Sequence, residues 1–199
     1  MKPGTRALGI AESYRSGTDE GGQSSLAGSI VSANGIVDQF VFSSCTVGGT
    51  DATDAIIEMV ERLARPDIQY IFIAGIAPAW FNIIDIRQVA DVTERPTLSV
   101  SFEESDGLEP ALRREFSAAA AEGRIKTYHK QPARRPVVVG DETLFVRTAG
   151  DVPAVDSVVR AFCSESTRPE PLRIAQLAAR GVAEWRRETN QSYTGRRNN

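Results

Sequence analysis

Apolar and polar positions change period several times along this chain. Residues 6–11 (RALGIA) form a short apolar run that predicts a first strand. Residues 16–25 (SGTDEGGQSS) are polar and rich in Gly and Ser, and predict a flexible loop. Residues 26–32 (LAGSIVS) alternate as a second strand, and residues 36–47 read as a third, with Val41 and Phe42 in its middle. Asn34-Gly35 between them is a strong short hairpin signal. The period then shifts. Ile56, Met59, Val60 and Leu63 recur at helical spacing, so a helix opens at Thr50 or Asp51 after Gly48-Gly49 and stops before Pro66. Residues 70–85 (YIFIAGIAPAWFNIID) organise the rest. The apolar, β-branched residues 70–73 predict a buried strand. Ala74-Gly75 ends it, Pro78 starts a turn, and a short helix follows over 82–89.

Residues 96–102 predict another strand, and Leu108, Leu112 and Phe116 mark a helix over 107–121. The polar residues 128–136 read as irregular. Residues 137–139 and 144–148 flank Gly140-Asp141 as a hairpin. Residues 152–162 predict a helix with Pro153 in its first turn. A long helix is expected over 169–188, with Leu172, Leu177, Val182 and Trp185 on its buried side, and residues 191–199 read as a frayed tail. Three antiparallel strands followed by helix, strand, helix, strand, helix is an α/β order. It is the order of a ribonuclease H-like mixed sheet flanked by helices, with 1–190 as a single domain and 191–199 as a flexible tail, and it also suits other mixed-sheet folds. The strands at 6–11 and 70–73 are expected side by side at its centre.

Composition narrows the function classes. With 41% hydrophobic and 25% charged residues, the chain is an ordinary globular one. No apolar run approaches the ~20 residues of a membrane span, and residues 1–6 lack the apolar region of a signal peptide. A cytoplasmic protein without a membrane partner is therefore expected. Cys45 and Cys163 have no zinc spacing and read as small buried hydrophobes. The net charge of −3 gives no global pull toward nucleic acid but allows a local basic patch. His129, the only histidine, has no acid and nucleophile arranged around it. No phosphate loop, dinucleotide fingerprint or nucleophile elbow is present.

At GIAE (9–12), TVGGTDATD (46–54), AGIAPAWFNIID (74–85) and RPEPLRIAQL (168–177) the chain resembles the archaeal endonuclease dU family. These are small proteins related to endonuclease V and presumed to cleave DNA at deoxyuridine. The resemblance covers about residues 4–185. It implies a ribonuclease H-like core, Mg²⁺-dependent phosphodiester cleavage, and damaged or uracil-containing DNA as partner. The chain departs from the family where acids are needed. The family's I-D-D is Ile10-Ala11-Glu12 here, its V-D-G is Val47-Gly48-Gly49, its L-D-G is Ile73-Ala74-Gly75, and a histidine near the last helix is Gln176.

A metal-dependent nuclease needs several oxygen ligands converging on Mg²⁺, and alanine has none. The acids that remain for catalysis are Glu12, Asp51 and Asp85, with Glu12 and Asp51 as metal ligands. Each has a plainer reading: a solvated strand end for Glu12, a helix cap for Asp51, a helix-terminal charge for Asp85. Asp51 is expected near the Ala74–Gly75 turn. Asn82 reads as a contact to a base or sugar, or as a cap of its own helix. Arg168 and Arg173 read as phosphate ligands or as ion-pair partners of Glu170. Trp80 and Phe81 read as base-stacking residues or as core. Glu103, Glu104 and Asp106 read as an acidic turn. Three functions compete: a nuclease with altered metal chemistry, a catalytically silent homologue that binds nucleic acid or protein, and a structural domain.

Overall fold

The computed structural model describes residues 1–14, 22–163 and 166–195, with side chains as far as residue 189. The predicted meander is present. β1 (Arg6–Glu12) pairs antiparallel with β2 (Gln23–Ser32), and β2 with β3 (Val37–Thr46). Gly35, at φ +84°, makes the Asn-Gly turn. β4 (Ile68–Ala74) lies parallel to β1, with one shift of register between Arg6 and Ala7, so the two predicted central strands are neighbours. β5 (Thr97–Ser101) lies parallel to β4, and the hairpin β6 (Arg135–Val139) and β7 (Glu142–Ala149) completes a seven-stranded sheet of order β3-β2-β1-β4-β5-β7-β6.

Helices cover both faces of the sheet. α1 (Ala52–Leu63) and α3 (Ile86–Thr93) pack Ile56, Met59, Ile86 and Val89 against Leu8, Ile10, Ile71 and Ile73. On the other face α6 (Val155–Ala161) and α7 (Glu170–Gly195) pack Val158, Val159 and Leu172 against Ala7, Phe72, Leu98 and Val100. Successive strand residues point to opposite faces, so Leu8, Ile10 and Glu12 look toward α1 while Ala7, Gly9 and Ala11 look toward α7. Gly9 lets α7 come close: a Cβ there would stand 2.2 Å from the Pro171 carbonyl carbon.

Several expected boundaries move, each for a packing reason. The loop expected over 16–25 gives up its last residues to β2, where Ser24 and Ser25 are buried, and residues 15–21 lie outside the described residues. The helix expected over 107–121 divides into α4 (Glu109–Glu115) and α5 (Ala118–His129). Phe116 is extended between them, and its ring packs with Phe81 and under the Arg124 guanidinium. α5 also takes in Tyr128 and His129 from the stretch expected to be irregular. The helix expected from residue 82 begins at Ile86 instead, because Asp85 caps it by accepting from Arg87 N at 3.1 Å and Gln88 N at 3.2 Å. α7 continues to Gly195, so the expected tail from 191 is helical that far, and 196–199 lie outside the described residues. Leu177 and Trp185, expected on its buried side, are exposed; Leu172, Ala175 and Ala179 are buried instead.

Candidate nucleic-acid interface

The parallel strands β1, β4 and β5 all end at one edge of the sheet, and the loops leaving them carry the residues singled out in the sequence. This is the end of an α/β sheet where sites are usually built. Beyond the paired residues Ile10 and Ile73 stand Ala11 and Ala74, side by side on the α7 face. Ala11 is buried and neither residue offers a ligand atom. β1 runs without a bulge through Glu12, which pairs with Leu26, so Glu12 does not swing round to replace Ala11. Its carboxylate lies on the α1 face, accepting from Ser24 Oγ at 2.6 Å and from Tyr14 N. Gln176 Nε2 donates to the Glu12 carbonyl at 2.6 Å, pinning α7 to the end of β1.

Half-buried Asp51 and buried Asn82 form one hydrogen-bonded unit. Asp51 stands at the N-terminus of α1 but its side chain does not cap that helix. Its carboxylate turns back to β3 and accepts from Thr46 N at 3.0 Å, Thr46 Oγ1 at 2.7 Å and Asn82 Nδ2 at 2.6 Å. Burial pushes this carboxyl up, yet the hydrogen bonds from Thr46 and Asn82 outweigh it and hold the group below the usual carboxylate range. Asn82 supplies the missing cap: its Oδ1 accepts from Ala52 N at 3.0 Å. Its Nδ2 also donates to Thr46 O at 2.9 Å. Asn82 is 0% exposed, so it neither caps its own helix nor reaches a base from this position. Asp85 lies elsewhere, beside Thr53, Gln88 and Lys130.

Of the three predicted catalytic acids, Glu12 and Asp51 both act on Cys45 but bond to different partners, and Asp85 lies apart. Among the described residues no group of three His, Cys, Asp or Glu side chains converges as a metal site needs. On the α7 face, where Ala11 and Ala74 stand side by side, no donor among the described residues fits a divalent cation. Cys45 is a buried thiol, pushed up to about 12 by burial and by the charges of Asp51 and Glu12.

Two cavities meet at Ala74. One, of about 440 Å³, lies on the α1 face and is lined by Glu12, Pro78, Ser99, Glu103, Glu104 and Tyr128 among others; Asp51 does not line it. The other, of about 170 Å³, is bounded by Phe102 of the loop after β5 and by Arg168, Arg173, Gln176 and Arg180. Arg173 makes the ion pair with Glu170 at 2.7 Å, its side chain still 44% exposed. Arg168 instead stacks on the Phe102 ring, its Cζ 4.2 Å from the centroid. Arg180 completes the group. The sequence did carry its signal: Arg173, Gln176 and Arg180 recur at i, i+3 and i+7, one face of a helix. Arg124 had no such signal. It is buried, and its guanidinium donates to the carbonyls of Gly48, Gly49 at 3.0 Å and Phe81 at 3.2 Å.

Comparison with known proteins agrees with this architecture. The sequence profile of the family described as Endonuclease dU matches residues 3–183. A UPF0215 protein of Pyrobaculum calidifontis is 32% identical over 181 residues, which are 89% of this chain and 97% of that protein. A protein of unknown function from Archaeoglobus fulgidus, solved by crystallography, superposes with a TM-score of 0.75 at 29% identity, covering 89% of this chain and 97% of the other. Endonuclease V from Bacillus subtilis superposes with a TM-score of 0.59 at 12% identity over 92% of this chain and 82% of its own. For Ciona intestinalis endonuclease V, bound to DNA containing an inosine followed by a ribo-adenosine, the values are 0.57, 11%, 90% and 86%. The last two likenesses establish the ribonuclease H-like fold.

Proposed function

The chain belongs to the endonuclease dU family, and from that premise we propose that it binds damaged or deoxyuridine-containing DNA without cleaving it through a strand-end metal. One observation carries this reading: Ala11 and Ala74 stand together where the fold needs carboxylates, and the adjoining cavity is walled by Arg168, Arg173 and Arg180. Arginine recognises phosphate by charge and by paired N–H donors. A groove lined by arginines and without carboxylates at Ala11 and Ala74 suits holding a phosphodiester better than hydrolysing one. The DNA bound by the Ciona endonuclease V supports nucleic acid as the partner.

The experiment measures binding and nicking of a deoxyuridine-containing duplex, with and without Mg²⁺. The native chain should bind, with affinity that falls as salt rises, and should leave the duplex intact. The double variant Ala11→Asp with Ala74→Asp places two carboxylates on adjacent strands, and should gain Mg²⁺-dependent thermal stabilisation and nicking. Brisk Mg²⁺-dependent nicking by the native chain sinks the proposal. A second reading, slow Mg²⁺-dependent hydrolysis, is favoured by Glu12 lining the larger cavity with Glu103 and Glu104. It predicts weak nicking that Glu12→Gln abolishes.

A further inference from the structure

The loop leaving β4 contains the most unusual backbone among the described residues. Ala79, Trp80 and Phe81 of α2 (Pro78–Phe81) have φ of 46°, 57° and 59°, three successive non-glycine residues in the left-handed region. Such conformations persist only where surrounding structure enforces them, and they concentrate at functional sites. Here the enforcement is visible. Gly48 N donates to Ala79 O at 2.7 Å, Asn82 N to Pro78 O at 2.9 Å, and Arg124 Nε to Phe81 O at 3.2 Å. Ala79 is buried, and the Phe81 ring packs edge-on against Phe116.

Every neighbour is anchored, and the residue they lift into solvent is Trp80. It is 36% exposed, and its indole N–H has no hydrogen-bond partner among the described residues. Phe81 supports it edge-on at 5.5 Å between ring centroids, and Tyr14 flanks it at 6.1 Å. Burying the indole in the core would not require a forced turn that leaves a third of it in water. Both aromatic residues leave the strand ends described above: Tyr14 is two residues beyond Glu12, and Trp80 follows Ala77 and Pro78, which line the larger cavity beside Ala74.

We infer that Trp80, flanked by Tyr14, is a stacking platform for an unpaired base of the DNA strand whose phosphates the arginines hold. A paired base already stacks on its neighbours, whereas an unpaired one gains an apolar face from an indole. This rests on the DNA-binding reading and adds a specific contact to it: single-stranded or unpaired DNA engages Trp80 directly.

The chain has two tryptophans. In the full-length Trp185→Phe variant Trp80 is the only one, and its emission reports its surroundings. The test titrates this variant with single-stranded oligothymidine at low salt, following Trp80 emission and the anisotropy of a labelled strand together. Binding with quenching is expected. Trp80→Ala should weaken binding roughly 10- to 100-fold, with Trp80→Phe recovering most of it. Binding that leaves Trp80 emission unchanged, with Trp80→Ala as tight as native, overturns the inference while the DNA-binding reading stands. No anisotropy change at any concentration overturns that reading, and the inference with it. The emission measurement needs no change at Trp80, so it decides the matter even where Trp80→Ala fails to fold.

Discussion

Asn82 satisfies three separate groups with one amide: the first N–H of α1, the Thr46 carbonyl and the Asp51 carboxylate. Removing it leaves a buried helix-end donor and a partly buried carboxylate short of partners. Each group left unsatisfied costs about 1–3 kcal/mol, so Asn82→Ala should lower unfolding free energy by roughly 2–4 kcal/mol at neutral pH, as read by urea denaturation. The pH dependence has a definite sign. The folded Asp51 carboxyl lies below its usual range, so its contribution is present above the unfolded carboxylate range and fades as pH falls through the folded value. Asn82 is one cause of that depression, so the deficit of Asn82→Ala should shrink toward strong acid. A deficit constant from neutral to acid would mean that the Asn82–Asp51 bond contributes nothing. The sequence marks Asn82 as a polar residue in an apolar stretch. It could not reveal that the helix it caps begins thirty residues earlier, because capping is read locally and this cap is a tertiary contact.

At the scale of elements, hydrophobic period recovered the strand order because β1, β4 and β5 are buried on both faces and short. It placed helix ends less well, because Phe116, Asp85 and the small residues of α7 answer to tertiary neighbours rather than to their own periodicity. α7 is the clearest case. Leu177 and Trp185 are large and apolar yet exposed, and its buried side is made of Leu172, Ala175 and Ala179, whose small alanines let the helix lie close to β1 and β2. Contact at Gly9 is closest: Pro171 occupies the space where a side chain would be, and the neighbouring Ser29 Oγ donates to Pro171 O at 2.7 Å. Gly9→Ala should therefore force α7 off the sheet and cost about 1–3 kcal/mol or more by overpacking. The same helix carries Arg173, Gln176 and Arg180, so this variant should also weaken DNA binding, although Gly9 itself reaches no ligand. Thermal melting and a binding titration on one preparation check both effects. Lost stability with unchanged affinity would show that the arginines do not depend on how α7 is seated.

For the whole molecule, charge sets the terms on which DNA can approach. The formal net charge is −3, so the long-range field repels a polyanion, and attraction must come from a local cluster that acts within about one Debye length, ~10 Å at 0.1 M salt. Arg168, Arg173 and Arg180 form such a cluster at the same end of the sheet as Ala11, Ala74 and Trp80. Glu170 offsets part of it through its pair with Arg173. If each arginine neutralises one phosphate, log K should fall against log salt with a slope of about −2 for a single strand and about −2.7 for a duplex. Replacing all three with Ala should bring the slope close to zero and remove measurable binding at physiological salt. Replacing Arg168 alone should reduce the slope by roughly 0.7–0.9, because no carboxylate among the described residues pairs with it. Replacing Arg173 alone should do less, since Glu170 already holds part of its charge. Equal losses from Arg168 and Arg173 would mean that DNA displaces Glu170. A native slope unchanged in the triple variant would place the phosphate contacts elsewhere on the molecule and leave the groove beside Ala74 without a nucleic-acid role.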